Sequence, residues 1–506
     1  MKMKIMTHFC NCAVLALLSL AACTEIPGDK SKPEWKESAS GVWEISVGKP
    51  EKLNLLSELG LHPKWDAINA MPKADLPVDR DEIRFEEVDG KTYIRFPLDK
   101  GEKIFGLGLN FKTVEQRGRI LELHVDHYGG KDNGRTHAPV PFFVSSKGYG
   151  AFINSARYIK AYVGTGVRKD TKNPPEVQDR NTDPGWSAQP YSDNLEFLVP
   201  AEGVEVVLFA GQDMQDVVRR FNLFNGGGVL PPKWGLGFWH RVPTLFTDRQ
   251  VQDEIAEFRK RGFPLTVIGL EPGWMSRAYP CTYEWDATRF PEPGKFVNDL
   301  LQKHIRTNLW FNPGVSPECE IRDSIEPYTA SHTEWNGLVP DYRMPEARRI
   351  MLDHFKKHQL DLGVSGYKMD ENDGYDNWLW PDVATFPSGT SAEQMRQIYG
   401  SLMQRMTTDL YHEKNQRTYG LVRAGNAGTS SFPYVIYNNH RDFITALINS
   451  SFIGVLWTPE VRASKTSEEW LRRMQTVCFS PVAMLDAWAD GTKPWSFPDV
   501  EKQVNE

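Results

Sequence analysis

Cysteine is scarce in this chain of 506 residues: there are six, and Cys10, Cys12 and Cys23 stand close to the N-terminus. Cys281, Cys319 and Cys478 are scattered along the rest, which excludes a disulfide framework and offers no zinc-ligand spacing, although one disulfide is allowed. Long runs of one charge are missing too. The net charge is -7, with no basic stripe of the kind nucleic acid demands, so no nucleic-acid partner is expected. No Gly-rich phosphate loop follows the first candidate strand, which lowers the case for an open, doubly wound sheet. What is present is ordinary globular composition: 40% hydrophobic, 25% charged, mean hydropathy -0.48. Aromatics make up 12%, with 16 tryptophans. Most should be core; some could stack on the apolar face of a pyranose.

The N-terminus reads as a targeting segment. Lys2 and Lys4 precede the apolar run Ala13–Leu20, which is too short to span a bilayer as a mature helix. The run ends in Leu20-Ala21-Ala22-Cys23, which resembles a bacterial lipobox. The resemblance implies a signal peptide over residues 1–22 and lipid modification of Cys23. A Pro-, Gly- and Lys-containing tether would follow over residues 23–40. The expected location is the cell envelope, membrane-anchored on a periplasmic or outer-membrane face.

Two units are expected at this length. Residues 41–225 alternate in strand fashion, as in Thr92-Tyr93-Ile94-Arg95-Phe96, with apolar runs such as Pro141–Val144 and Ala151–Ile153. They read as a β-sandwich. A boundary falls at Gly226–Pro232. From 229 to 506, short apolar strands alternate with amphipathic helices. The candidate strands are Leu236–Trp239, Leu265–Leu270, Thr307–Phe311, Gly366–Met369, Tyr419–Val422, Tyr434–Tyr437, Gly454–Trp457 and Val482–Leu485. Eight of them predict a (β/α)₈ barrel, incomplete at its last helix because only Phe497–Glu506 remains.

In such a barrel the chemistry sits where the strands end. The strand ends carry Glu271 and Trp274, Trp310 with Asn312, Asp370 followed by Glu371 and Asp373, Arg423, Asn438–Asp442, Trp457 with Glu460, and Asp486 with Trp488. This carboxylate-rich, aromatic-walled rim suits glycoside hydrolysis. There one carboxylate attacks the anomeric carbon and a second, ~5–5.5 Å away in retaining enzymes, moves a proton. A carboxylate-bound magnesium ion is the rival reading.

Several segments, in order, resemble glycoside hydrolase family 31. They are Pro231-Pro232-Lys233-Trp234-Gly235-Leu236-Gly237-Phe238-Trp239, Trp285-Asp286-Ala287-Thr288-Arg289-Phe290-Pro291, Leu309-Trp310-Phe311-Asn312-Pro313, Gly366-Tyr367-Lys368-Met369-Asp370, Phe479-Ser480-Pro481 and Pro494-Trp495. Gly106-Leu107-Gly108 and Gly148-Tyr149-Gly150 resemble its N-terminal, galactose-mutarotase-like sandwich. The resemblance implies a retaining α-glycosidase acting on α-linked oligosaccharides (glucosides, xylosides or galactosides), with no cofactor and no metal. Asp370 is the implied nucleophile. Glu271, Trp274, Trp310, Lys368, Arg423, Trp457 and Asp486 are the implied substrate-binding residues. Where the family places an acid/base aspartate after the sixth strand, this chain reads Tyr437-Asn438-Asn439-His440-Arg441-Asp442, so Asp442 is the candidate and Glu460 the runner-up. Family members carry β-domains after the barrel, and the expectation is a form without them. The alternative function is a catalytically impaired or non-catalytic carbohydrate-binding lipoprotein on the same fold.

Overall fold

A computed structural model describes residues 33–128, 130–188, 191–374, 378–438 and 443–506. Residues 35–506 form one unit. Its first part is a pair of six-stranded sheets. One runs, edge to edge, through 36–39, 42–48, 203–210, 149–154, 142–145 and 104–106; the other through 84–88, 91–97, 191–199, 159–165, 119–125 and 135–136. The period-two pattern explains the pairing. In Lys91–Pro97, Thr92, Ile94 and Phe96 point inward while Tyr93 and Arg95 do not. Phe142 and Phe143 show why their strand reads as an unbroken apolar run. Phe143 enters the core between the sheets with Phe96 and Phe197. Phe142 faces the other way and stacks 3.9 Å from Phe221, on the helix Met214–Phe224.

The second part is an eight-stranded parallel sheet, numbered here β1 Phe238–Arg241, β2 Leu265–Leu270, β3 Arg306–Phe311, β4 Gly366–Met369, β5 Gly420–Val422, β6 Tyr434–Asn438, β7 Trp457–Pro459 and β8 Ala483–Asp486. β1 pairs with both β2 and β8, so the sheet curls into a ring rather than staying open. Closure is thinnest between β7 and β8, where Val461 bridges Leu485 and the Asp486 amide donates to the Val461 carbonyl at 2.9 Å. The short helix Glu501–Asn505 lies against this side, with Val500 and Val504 on the cluster around Trp470 and Leu485. The ring is thus nearly closed, as an incomplete barrel should be.

The connecting helices follow the sequence pattern. α1 (Asp248–Lys260) buries Val251, Ile255 and Phe258 and starts with a Thr247–Gln250 capping box. α2 (Pro293–Gln302) and α3 (Pro345–His358) follow β2 and β3. α4 (Ala392–Glu413) is buried nearly all round because it is wedged between barrel and sandwich. There Gln397 imitates a strand neighbour: Val125 N donates to its Oε1 at 2.8 Å, and its Nε2 donates to the Leu123 carbonyl at 3.2 Å.

Two strands differ from expectation by more than one residue. The first strand begins at Phe238, not Leu236, because Lys233–Leu236 winds into a 3₁₀ turn. The seventh begins at Trp457, not Gly454, because Gly454 turns the chain with φ +65°. Cys281, Cys319 and Cys478 are all free thiols. Cys23 and the rest of the N-terminal segment lie outside the described residues, among which no helix is long and apolar enough to cross a membrane.

Candidate active site

The strand ends surround a cavity of about 430 Å³, lined among others by Glu271, Tyr279, Trp310, Lys368, Asp370, Glu371, Arg423, Glu460 and Trp488. Lys368 and Asp370 stand two apart along β4 and its end, so both turn to the barrel interior. Asp370 is held by three donors. Arg423 Nη1 reaches Oδ1 at 2.7 Å, the Glu371 amide reaches Oδ1 at 2.9 Å, and Trp310 Nε1 reaches Oδ2 at 2.7 Å. Its side chain is 14% exposed, toward the cavity.

Beneath it lies a buried charge cluster. Lys368 Nζ donates to Glu271 at 3.1 Å, Glu460 at 3.0 Å and Asp486 at 2.8 Å; Arg241 from β1 bonds Glu271 and, through Nη1, Asn308 Oδ1 at 2.6 Å. Five ionised groups would leave one uncompensated negative charge. Burial, then the Glu271 charge, pushes the Asp486 carboxyl well above the usual range. Burial acts the same way on Glu460, but the Lys368 ammonium outweighs it and holds Glu460 down at about 2. A proton held by the cluster would balance it, and Asp486 is the carboxyl pushed furthest in that direction. The place that a carboxylate-bound cation would take is filled by the Lys368 ammonium, so these residues do not fit the magnesium reading.

A second hub ties the sandwich to the site. Arg423 Nε donates to Asp373 Oδ2 at 3.2 Å and its Nη2 donates to His127 Nδ1. His137 Nδ1 bonds the same Asp373 oxygen. Both histidines come from the segment between the sandwich strands 119–125 and 142–145. Burial, then the Arg423 charge, pushes His127 down to about 4, so the ring is a neutral acceptor for the guanidinium. Burial alone would raise Asp373, yet Arg423 and His137 hold it below the usual carboxylate range. His127, His137 and Asp373 converge closely enough to ligate a metal, but the guanidinium already supplies the cation.

Glu371 is the remaining unusual group. It has φ +54°, accepts from Asn312 Nδ2 at 2.9 Å, and lies 3.5 Å from the Tyr279 hydroxyl. Burial, then the neighbouring Asp370 charge, pushes its carboxyl up to about 8.

The structure therefore brings Glu271, Trp310, Lys368, Asp370 and Arg423 together around the cavity, with Asp486 directly below. Trp274 and Trp457 are corrections: they do not line it. Trp274 is buried with its indole N–H on the Trp310 carbonyl at 2.7 Å and its ring edge-on to Trp285; Trp457 packs among Phe111 and Phe443. Trp239 likewise packs against Tyr419. Asp442 lies outside the described residues. Sequence reasoning missed Arg241, since β1 was expected to stop at Trp239. It passed over Glu371 and Asp373 as roles although both follow Asp370. His127 and His137 carried no signal, because only the fold brings them to Asp373.

Sandwich, barrel and cavity together define a two-part barrel protein whose chemistry rests on carboxylates held at strand ends. The family model for the glycosyl hydrolases family 31 TIM-barrel domain matches residues 228–506, and that for the glycosyl hydrolase 31 N-terminal galactose mutarotase-like domain matches residues 30–160. The chain belongs to family 31 of the glycosyl hydrolases. It is 24% identical to an α-xylosidase of Emericella nidulans over 367 residues, covering 69% of this chain and 43% of that protein. It is 26% identical to α-glucosidase 2 of Bacillus thermoamyloliquefaciens over 349 residues, covering 61% and 44%. The chain thus spans less than half the length of these relatives. A family 31 dextranase of Flavobacterium johnsoniae, solved with glucose, shares the fold with a TM-score of 0.74 at 17% identity, covering 95% of this chain and 66% of that one.

Proposed function

We propose that this chain is a retaining α-glycosidase that removes terminal α-linked glucose, xylose or galactose from oligosaccharides, with Asp370 as nucleophile. The observation that carries this reading is the Asp370 carboxylate itself, fixed by Arg423, Trp310 and a backbone amide at the edge of a sugar-sized cavity. Oδ2 has one donor and Oδ1 has two, so Oδ2 keeps the freer lone pair for attack on the anomeric carbon. The bond to the departing oxygen breaks as the bond to Oδ2 forms, and water later releases the sugar from the enzyme. Arg423 stabilises the carboxylate when it is expelled. Glu271, held by Lys368 and Arg241, offers an acceptor for a sugar hydroxyl at the cavity floor. Tyr279 and Trp488, both partly exposed at the cavity, offer ring faces to the leaving sugar. The proton for the departing oxygen comes from Asp442, which follows β6 in the sequence; Glu460, ionised against Lys368, has none to give. A lipid on Cys23 would hold the enzyme in the cell envelope, near its oligosaccharides.

Wild type and Asp370→Ala should be compared on aryl α-glycosides, glycosyl fluorides and α-linked disaccharides of the three sugars. The expected result is turnover of one sugar class, lost by a factor on the order of 10⁴ or more in the variant. Well-folded wild type that binds sugar but turns over none of the panel would overturn the reading and leave a carbohydrate-binding protein. The anchor is checked separately, by membrane fractionation of Cys23→Ala, which should release the protein.

A further inference from the structure

Behind the wall of the cleft, three ligating atoms converge. His354 and His358 stand one helical turn apart on α3, so their rings emerge on the same face, 4.5 Å apart. Glu320, from the segment after β3, reaches both. Its Oε1 lies 3.1 Å from His354 Nδ1 and 2.9 Å from His358 Nε2. The other nitrogen of His354, Nε2, lies 3.1 Å from the Thr282 carbonyl oxygen. A carbonyl only accepts, so Nε2 carries the hydrogen. Nδ1 of the neutral ring then turns a lone pair toward a carboxylate oxygen, and two acceptors face each other unless a cation stands between them. An imidazole fixed through its second N–H on a backbone carbonyl is also how proteins orient metal-ligating histidines. The spacing is close: two ligands about 2.1 Å from one tetrahedral ion lie about 3.4 Å apart, so these contacts open by only a few tenths of an ångström on binding.

We propose that Glu320, His354 and His358 bind a divalent transition-metal ion of the zinc class, with water in the remaining positions. His354 is buried, while His358 and Glu320 are 22% and 42% exposed, which leaves the ion a way in. The ion clips the segment after β3 to α3. Through Thr282 the clip reaches the stretch Met275–Tyr279 that lines the cavity. Cys319 stays out of the set: its Sγ lies 3.9 Å away on the Nε2 side and donates to the Thr282 carbonyl. The competitor is Lys357, whose Nζ donates to both Glu320 oxygens at 2.9 Å. Its side chain is mostly exposed and swings into water when the ion takes Oε1.

The test titrates tag-free, chelator-treated protein with Zn²⁺ by calorimetry and with Co²⁺ by visible absorption. One ion per chain and a Co²⁺ d–d band are expected. His358→Ala should weaken binding on the order of a hundredfold, and Lys357→Met should tighten it about fivefold by removing the competing cation. The tightening separates a metal site from general damage to the fold. Absence of binding, or equal affinity in wild type and His358→Ala, would overturn the proposal and leave an imidazolium–carboxylate pair.

Discussion

Replacing Glu371 with glutamine should make the folded chain less sensitive to alkali. Glutamine keeps the length of the side chain, can accept from Asn312, and mimics a protonated carboxyl. The Glu371 carboxyl rises from its ordinary 4.5 to about 8, through burial first and the Asp370 charge second. The unfolded chain therefore gives up this proton near 4.5 and the folded chain only near 8. The group's contribution to stability is full below 4.5 and is lost as pH rises through 8. Between about pH 6 and about pH 8 the unfolded state is ionised and the folded state is not, at about 1.4 kcal/mol per unit, or about 3 kcal/mol over the window. Urea unfolding of both proteins at about pH 6, 7, 8 and 9 measures this. The wild type should lose about 3 kcal/mol relative to Glu371→Gln across the series. Parallel curves would show that Glu371 is ionised in the folded chain, and the reasoning from burial beside Asp370 would be wrong.

Three further substitutions probe the site. Lys368→Met strands Glu271, Glu460 and Asp486 around an apolar chain and should cost roughly 3–5 kcal/mol in chemical denaturation. Trp310→Phe keeps the ring and removes the N–H on Asp370 Oδ2; kcat should fall roughly ten- to a hundredfold with KM little changed, and an unchanged kcat would remove Asp370 from the reaction. Arg423→Lys offers one point charge where three partners are spread around a planar fork. It should lower kcat, because one ammonium cannot reach Asp370, Asp373 and His127 together; an unchanged kcat would mean that the planar fork is not needed to hold Asp370.

Much of the architecture is legible in the sequence, for local reasons. Parallel strands buried on both faces read as apolar runs, and all eight were placed within three residues of where they lie. The face of α1 is set by Val251, Ile255 and Phe258 at helical spacing. Asp370 stands out because it is a carboxylate at a strand end and because Gly366–Asp370 resembles the strand that carries the family's nucleophile. Direction was harder. Trp274, Trp310 and Trp457 all stand at strand ends, yet only Trp310 lines the cavity, because an indole is equally at home in a core.

Composition and periodicity by themselves determined the sandwich, the barrel and the gathering of carboxylates at one face, since each follows from repeats a few residues long. Only the tertiary structure decided what those carboxylates do. Glu371, Glu460 and Asp486 look alike in sequence. Yet burial and the Glu271 charge raise Asp486, the ammonium from β4 lowers Glu460, and Glu371 is raised by burial beside Asp370. His137 and Asp373 are 236 positions apart and share a hydrogen bond. Protonation and pairing depend on burial and on charges brought close by folding, which no local pattern records.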